Sequence, residues 1–275
     1  MPTLDVNDTT IGYQEHGHGP PVVFIHGLGL SREMWRRQVE HFAATHRVIA
    51  VDVRGAGASG HLGRGRDVLA TQAADLISLL DRLEVSRAVL CGVSFGGVLA
   101  QEFAATFPDR LAGLVIVDSF PDARLARPLR RWGLRVSAAL AGPALLLPPA
   151  LMLPAVRRTY TRWPEAGEVI TAGWARMRRL ETARMRHAIN RADYVPRLAE
   201  VTVPTLGIVG DASAVLLELM HRLVDAVPDA SLEIVPDSFD PTPLCQPDRF
   251  DALLADFLTE QGWTAGSDRW RDQGD

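Results

Sequence analysis

Five residues limit the fold of this chain more than any others: Gly92-Val93-Ser94-Phe95-Gly96. They fit the pattern G-x-S-x-G. An apolar run from Ala88 to Gly92 precedes Ser94, and helical spacing continues from there to about Thr106. A strand that turns directly into a helix leaves no room for a side chain at either glycine. It also forces the serine into a strained conformation, with its hydroxyl presented at the sheet edge. The helix N-terminus beneath it favours developing negative charge. Ser94 is therefore a candidate nucleophile. The competing reading, a serine-capped helix after a glycine turn, accounts less well for the strand–turn–helix setting.

The motif belongs to a repeated cadence of apolar run, glycine turn and amphipathic stretch. Residues 3–15 read as two short strands turning at Asn7-Asp8, residues 22–25 as a short buried strand, and 48–51, 88–92, 114–117, 205–209 and 232–235 as further strands. Helices are expected from Ser31, as N-cap, to about Ala44, then over 67–83, 94–106 and about 248–259. Alternating strands and helices imply an α/β chain with right-handed crossovers and a mainly parallel sheet. Such sheets bind ligands at the carboxyl ends of their strands.

Residues 121–198 break the cadence. They hold no clear strand, and 15 arginines stand there against five acids (Asp122, Glu165, Glu168, Glu181 and Asp193). The segment reads as a helical insertion over the sheet's carboxyl end. Residues 1–120 and 199–262 form the core, and 263–275 read as a loose polar tail.

Composition narrows the field. A net charge of −4 gives no bulk attraction to nucleic acid or an anionic membrane. All basic residues are arginine, and 47% of residues are apolar, enough for a sizeable core. No basic leader precedes an apolar stretch at the N-terminus. The most apolar segment, Ala138 to Pro154, is broken by prolines and is shorter than the ~20 residues that span a bilayer. The expectation is a cytoplasmic protein without stable membrane insertion. Cys91 and Cys245 form neither a disulfide framework nor a metal spacing, and no nucleotide-binding glycine motif occurs, so no cofactor is expected. The Arg-rich segment reads as a solvated face or as a surface for an anionic carrier; the oligomeric state is left open.

A second turn, His26-Gly27-Leu28-Gly29, follows an earlier strand. In that position the backbone amides of Leu28 and Phe95 would converge on one point, as an oxyanion hole does. Together with Trp35, the run Asp52-Val53-Arg54-Gly55 through Ser59 and the Ser94 motif, this resembles the α/β-hydrolase superfamily. The most similar style is the small helical-capped type that includes enol-lactonases, cofactor-free haloperoxidases and ring-cleavage-product hydrolases. The resemblance runs from about residue 10 to 260 and is weakest in 121–198. It implies the α/β-hydrolase fold, with a helical cap inserted after the strand that follows the elbow. It does not imply a substrate, because the superfamily's chemistry is broad. His26, Gly27, Gly29, Trp35, His61, Trp132, Trp163 and Trp174 are candidate lining of a pocket for a hydrophobic small molecule. Core packing accounts equally well for the tryptophans.

The catalytic pattern departs from the family. The family's acid follows the next-to-last strand, where this chain reads Gly210-Asp211-Ala212-Ser213, with Ser213 at the acid position. The family's histidine follows the last strand. Here Pro236-Asp237-Ser238-Phe239-Asp240 leads to Gln246-Pro247-Asp248, which fixes the register and puts Asp240 in the histidine's place. Asp118, at the end of the strand after the elbow, is a second candidate acid or a turn cap. An ordinary aspartate is a weaker base than histidine by ~2.6 pKa units, and its charge would repel an oxyanion; buried beside an apolar cap, Asp240 would instead have a raised pKa and stand as a neutral acid. His26, His61 and His187 are the histidines that could substitute. On these grounds the sequence points to non-hydrolytic chemistry on a carbonyl compound (a cyclase, isomerase or lyase). The alternatives are a serine hydrolase with a rewired base, and a non-catalytic binding protein.

Overall fold

The computed structural model describes residues 2–65, 67–122, 133, 140–267 and 270. Eight strands form one sheet: β1 (Thr3–Val6), β2 (Thr9–His16), β3 (Pro21–Ile25), β4 (Arg47–Val51), β5 (Ala88–Val93), β6 (Leu111–Val117), β7 (Thr205–Gly210) and β8 (Ala230–Val235). Their order is β1-β2-β4-β3-β5-β6-β7-β8. The β1–β2 and β2–β4 pairs are antiparallel, and every later pair is parallel. The expected α/β sheet is therefore the one observed.

The central strands are continuous apolar runs because both of their faces are covered. On one face Val23, Ile25, Leu90, Leu114 and Ile116 pack with α2 (Val68–Arg82) and α3 (Phe95–Thr106). On the other, Val22, Phe24, Cys91, Val93, Val115 and Ile208 pack with α1 (Arg36–Phe42) and the C-terminal helix Pro247–Glu260. Asp67 caps α2, accepting from the Ala70 N–H at 3.1 Å. Ser31 does not cap: its side chain makes no such bond, and a 3₁₀ turn, Arg32–Trp35, precedes α1. The Asp52–Ser59 run is structural. Asp52 accepts from the backbone N–H groups of Arg32 and Ala58, both at 2.8 Å. Arg54 clamps Asp75 through two bonds of 2.6 and 2.7 Å.

Between β6 and β7 lie helices α4 (Pro149–Thr159), α5 (Pro164–Arg176), α6 (Arg179–Ile189) and α7 (Val195–Leu198). The two ends of this segment meet, since the Tyr194 N–H donates to the Pro121 carbonyl at 2.9 Å. Asp122, buried beside that junction, pairs with Arg222 of α8 (Ala214–Val224) at 3.1 Å. A short helix that the sequence reading missed, α9 (Thr242–Cys245), precedes α10 (Pro247–Glu260). The expected tail begins too early. Trp263 is buried, its indole N–H donates to the Pro21 carbonyl at 2.9 Å, and its own carbonyl meets His46 Nε2 at 2.9 Å. Among the described residues no helix is long and apolar enough to cross a membrane.

Candidate active site

The turn at Ser94 has the backbone that its glycines require. Ser94 sits at φ 52° and ψ −112°, a conformation that L-residues rarely adopt. It is held by its N–H to the Val117 carbonyl and by the Ser119 hydroxyl on its carbonyl, both at 2.8 Å. A methyl group on Gly92 would lie 2.2 Å from the Gly96 carbonyl oxygen, and one on Gly96 would lie 2.3 Å from that of Ile25. Strand and helix thus approach more closely than any side chain allows, and the strain is stored where the hydroxyl is displayed.

The Ser94 hydroxyl donates to Asp240 Oδ2 at 3.1 Å. The register argument therefore put the right residue beside the serine. The loop carrying Asp240 is held from three sides. Asp118, at the end of β6, accepts from the Gly210 N–H at 3.0 Å and from the Thr242 N–H at 2.5 Å. Trp163 donates to the Asp237 carbonyl at 3.0 Å and stacks on Phe239, while the Tyr160 hydroxyl donates to the Asp240 carbonyl. Ser238 bonds to the Thr242 hydroxyl at 2.9 Å beneath.

These contacts enclose the Asp240 carboxyl, and the loss of water pushes its pKa up to about 8. The nearby Asp118 charge raises it further, whereas the Ser94 hydrogen bond and Arg186 act in the opposite direction. Burial also raises Asp118, against the pull of the Thr242 and Gly210 N–H groups. The enclosure thus acts on Asp240 in the direction expected of burial beside an apolar cap. In this setting its affinity for a proton matches or exceeds that of a free imidazole.

The other expected residues part company. Ser213 is not near Ser94 as an acid; it caps α8, accepting from the Leu216 N–H at 3.3 Å. Asp211 is exposed. Trp35 is not in the pocket: it is fully buried in the core and stacked on Phe24 with centroids 4.7 Å apart. His61 has an exposed ring and bonds to Glu181 at 2.7 Å, and His187 is exposed on α6. His26 is buried with both nitrogens engaged, one meeting the Gly27 carbonyl at 2.8 Å and the other the Val53 N–H at 3.3 Å. Burial lowers its pKa, so it stays neutral and shapes the turn. None of these histidines replaces the missing base.

That turn abuts the serine. A methyl group on Gly27 would lie 3.8 Å from Ser94 Cβ. Among the described residues, neither the Leu28 N–H nor the Phe95 N–H donates to another group. Trp174 and Met177 press against Gly29. Trp132 lies outside the described residues. Sequence reasoning missed Tyr160, Thr242 and Arg186, and no local signal distinguishes any of them from its neighbours. Gly97 was also missed, although a methyl there would meet Ser119 Cβ at 2.6 Å. The doubled glycine Gly96-Gly97 was the available clue.

Residues 20–161 match the family described as alpha/beta hydrolase fold. The chain belongs to this family. This α/β-hydrolase-fold protein is 30% identical over 221 residues to 3-oxoadipate enol-lactonase 2 of Acinetobacter baylyi, covering 76% of this chain and 78% of the relative. It is 32% identical over 257 residues to a putative carbamate hydrolase, RutD, of Variovorax paradoxus, covering 90% and 95%. Among solved structures, Est816, described as an N-acyl homoserine lactone degrading enzyme, superposes with a TM-score of 0.79 at 26% identity, covering 93% of this chain and all of that one. These relatives favour hydrolysis over the non-hydrolytic chemistry that the missing histidine suggested.

Proposed function

We propose that this protein is a serine hydrolase of small esters or lactones, with Ser94 as nucleophile and Asp240 as its general base. The observation that carries this reading is the 3.1 Å bond from the Ser94 hydroxyl to a carboxylate whose pKa is raised to about 8. Ionised Asp240 takes the hydroxyl proton as Ser94 attacks the carbonyl carbon. The carbonyl oxygen becomes anionic against the N–H groups of Leu28 and Phe95, the latter at the start of α3. The sequence-based objection about repulsion then loses its force. Once Asp240 holds the proton it is neutral, so one negative charge moves from carboxylate to oxyanion and two never coexist. Protonated Asp240 next gives its proton to the leaving alkoxide. It then accepts one from the water that releases the acyl group. The helices between β6 and β7 serve as a cap, with Trp163 and Tyr160 fixing the Asp240 loop from above.

One observation favours a second reading. A carboxyl with a midpoint of about 8 is mostly protonated at neutral pH, so Asp240 could instead exchange a proton with a carbonyl substrate without an acyl-enzyme. An active-site fluorophosphonate followed by intact mass separates the two. Under the proposal it labels the protein at about pH 9, more slowly at about pH 6, and not at all in Ser94→Ala. No labelling at either pH, beside a fully labelled control hydrolase, would leave only the proton-transfer reading.

A further inference from the structure

We infer that the substrate carries a carboxylate or similar anion, and that Arg186 of α6 holds it beside Ser94. The inference builds on the hydrolase reading and adds the substrate class. Arg186 is half-buried on α6, where Met185 and Ile189 are buried. Its Nε is enclosed and has no hydrogen-bond partner among the described residues. Among the described residues no carboxylate lies within ion-pair distance of it, although Asp240 acts on it through space. Neighbouring arginines of the segment differ. Arg162 pairs with Asp237 at 2.5 Å, Arg197 pairs with Glu102 at 3.1 Å, and Arg184 donates to the Gly63 and Gly65 carbonyls at 2.6 and 2.8 Å.

Arg186 is therefore a half-buried cation with donors left over, on a helix that packs against α3, the helix that Ser94 opens. Burying an unsatisfied charged donor is costly, and a bound anion removes that cost. The guanidinium fork suits a carboxylate, which it can hold through two parallel bonds. The helix that carries it is anchored near its start, where Glu181 accepts from the Leu62 N–H at 3.1 Å and from His61 at 2.7 Å. A substrate so held would present its ester carbonyl to Ser94 and its anion to the cap.

The test compares two esters with the same leaving group, p-nitrophenyl hydrogen glutarate, which bears a free carboxylate, and p-nitrophenyl valerate, its neutral counterpart. The readout is the ratio of their kcat/KM values in wild type, Arg186→Met and Arg186→Lys. Effects on folding or on Asp240 are common to both esters and divide out. Wild type should prefer the anionic ester; Arg186→Met should reduce the ratio by about 30-fold or more, mainly through KM, and Arg186→Lys should recover part of it. An unchanged ratio would overturn the inference. If wild type cleaves neither ester, the hydrolase reading has failed, and calorimetric titration with glutarate decides about the anion. Binding to wild type that is lost in Arg186→Met upholds the anion site. Equal binding, or none to wild type, overturns it.

Discussion

Asp240 shows how far an environment can move a side chain from its ordinary chemistry. A carboxyl with a midpoint of about 8 is a competent base only when ionised, so kcat/KM should rise about tenfold per pH unit up to that midpoint and then level off. Asp240→Asn should reduce kcat/KM by about 10³-fold at high pH. The same substitution should act on stability in the opposite sense. Folded Asp240 keeps its proton up to about pH 8, whereas an unfolded aspartate releases it near ~3.9. Across that window the folded state binds more protons, so this group's contribution to stability falls as pH rises. Urea denaturation should therefore find Asp240→Asn more stable than wild type at about pH 9, and no more stable at about pH 4. Equal stability at both would show that the carboxyl is not desolvated. The sequence located this residue, because Gln246-Pro247-Asp248 fixed the register. Burial beside a cap foretold the direction of its shift but not the groups that enclose it, which come from the end of β6 and the turn between α4 and α5.

At the level of elements, local signals were the readable ones. The Ser94 turn and the strands are each written in a few adjacent residues, and each lies where expected. Ser213 and Trp35 were misplaced for the complementary reason. A serine beside a helix start and a tryptophan beside a glycine turn look alike in sequence whether they face a pocket or a core. The loop 236–242 gives the sharpest test at this scale. Trp163→Phe keeps a ring for Phe239 to stack on but removes the donor to the Asp237 carbonyl. It should cost about 1 kcal/mol of stability by denaturant melt and lower kcat more than it raises KM. A variant with unchanged kcat would show that the loop holds Asp240 without this clasp.

Across the whole molecule, the stretch that follows the last helix is anchored in the core through Trp263. Trp263 joins the C-terminal helix to β3 through the Pro21 carbonyl and to His46 through its own carbonyl, and Trp270 packs against the same cluster. Cutting the chain after Gly262 should destabilise it by about 3 kcal/mol, from the buried indole and its hydrogen bonds together. A truncated protein with the wild-type denaturation midpoint would restore the reading of a dispensable tail. The composition of the tail hid this, since two tryptophans scattered among polar residues make no amphipathic pattern.

The meeting of Pro121 and Tyr194 has a consequence for how such a molecule could diversify. A segment that leaves and re-enters at one hydrogen-bonded point behaves like a cassette on a common socket. Its length and contents can be exchanged by recombination while β6 and β7 keep their register. Substrate preference, carried by Arg186, would then be inherited separately from the chemistry at Ser94. The Asp240 loop is the exception, because Tyr160 and Trp163 reach it from inside the cassette. A graft that omitted both would bring in a new pocket over a loosened base.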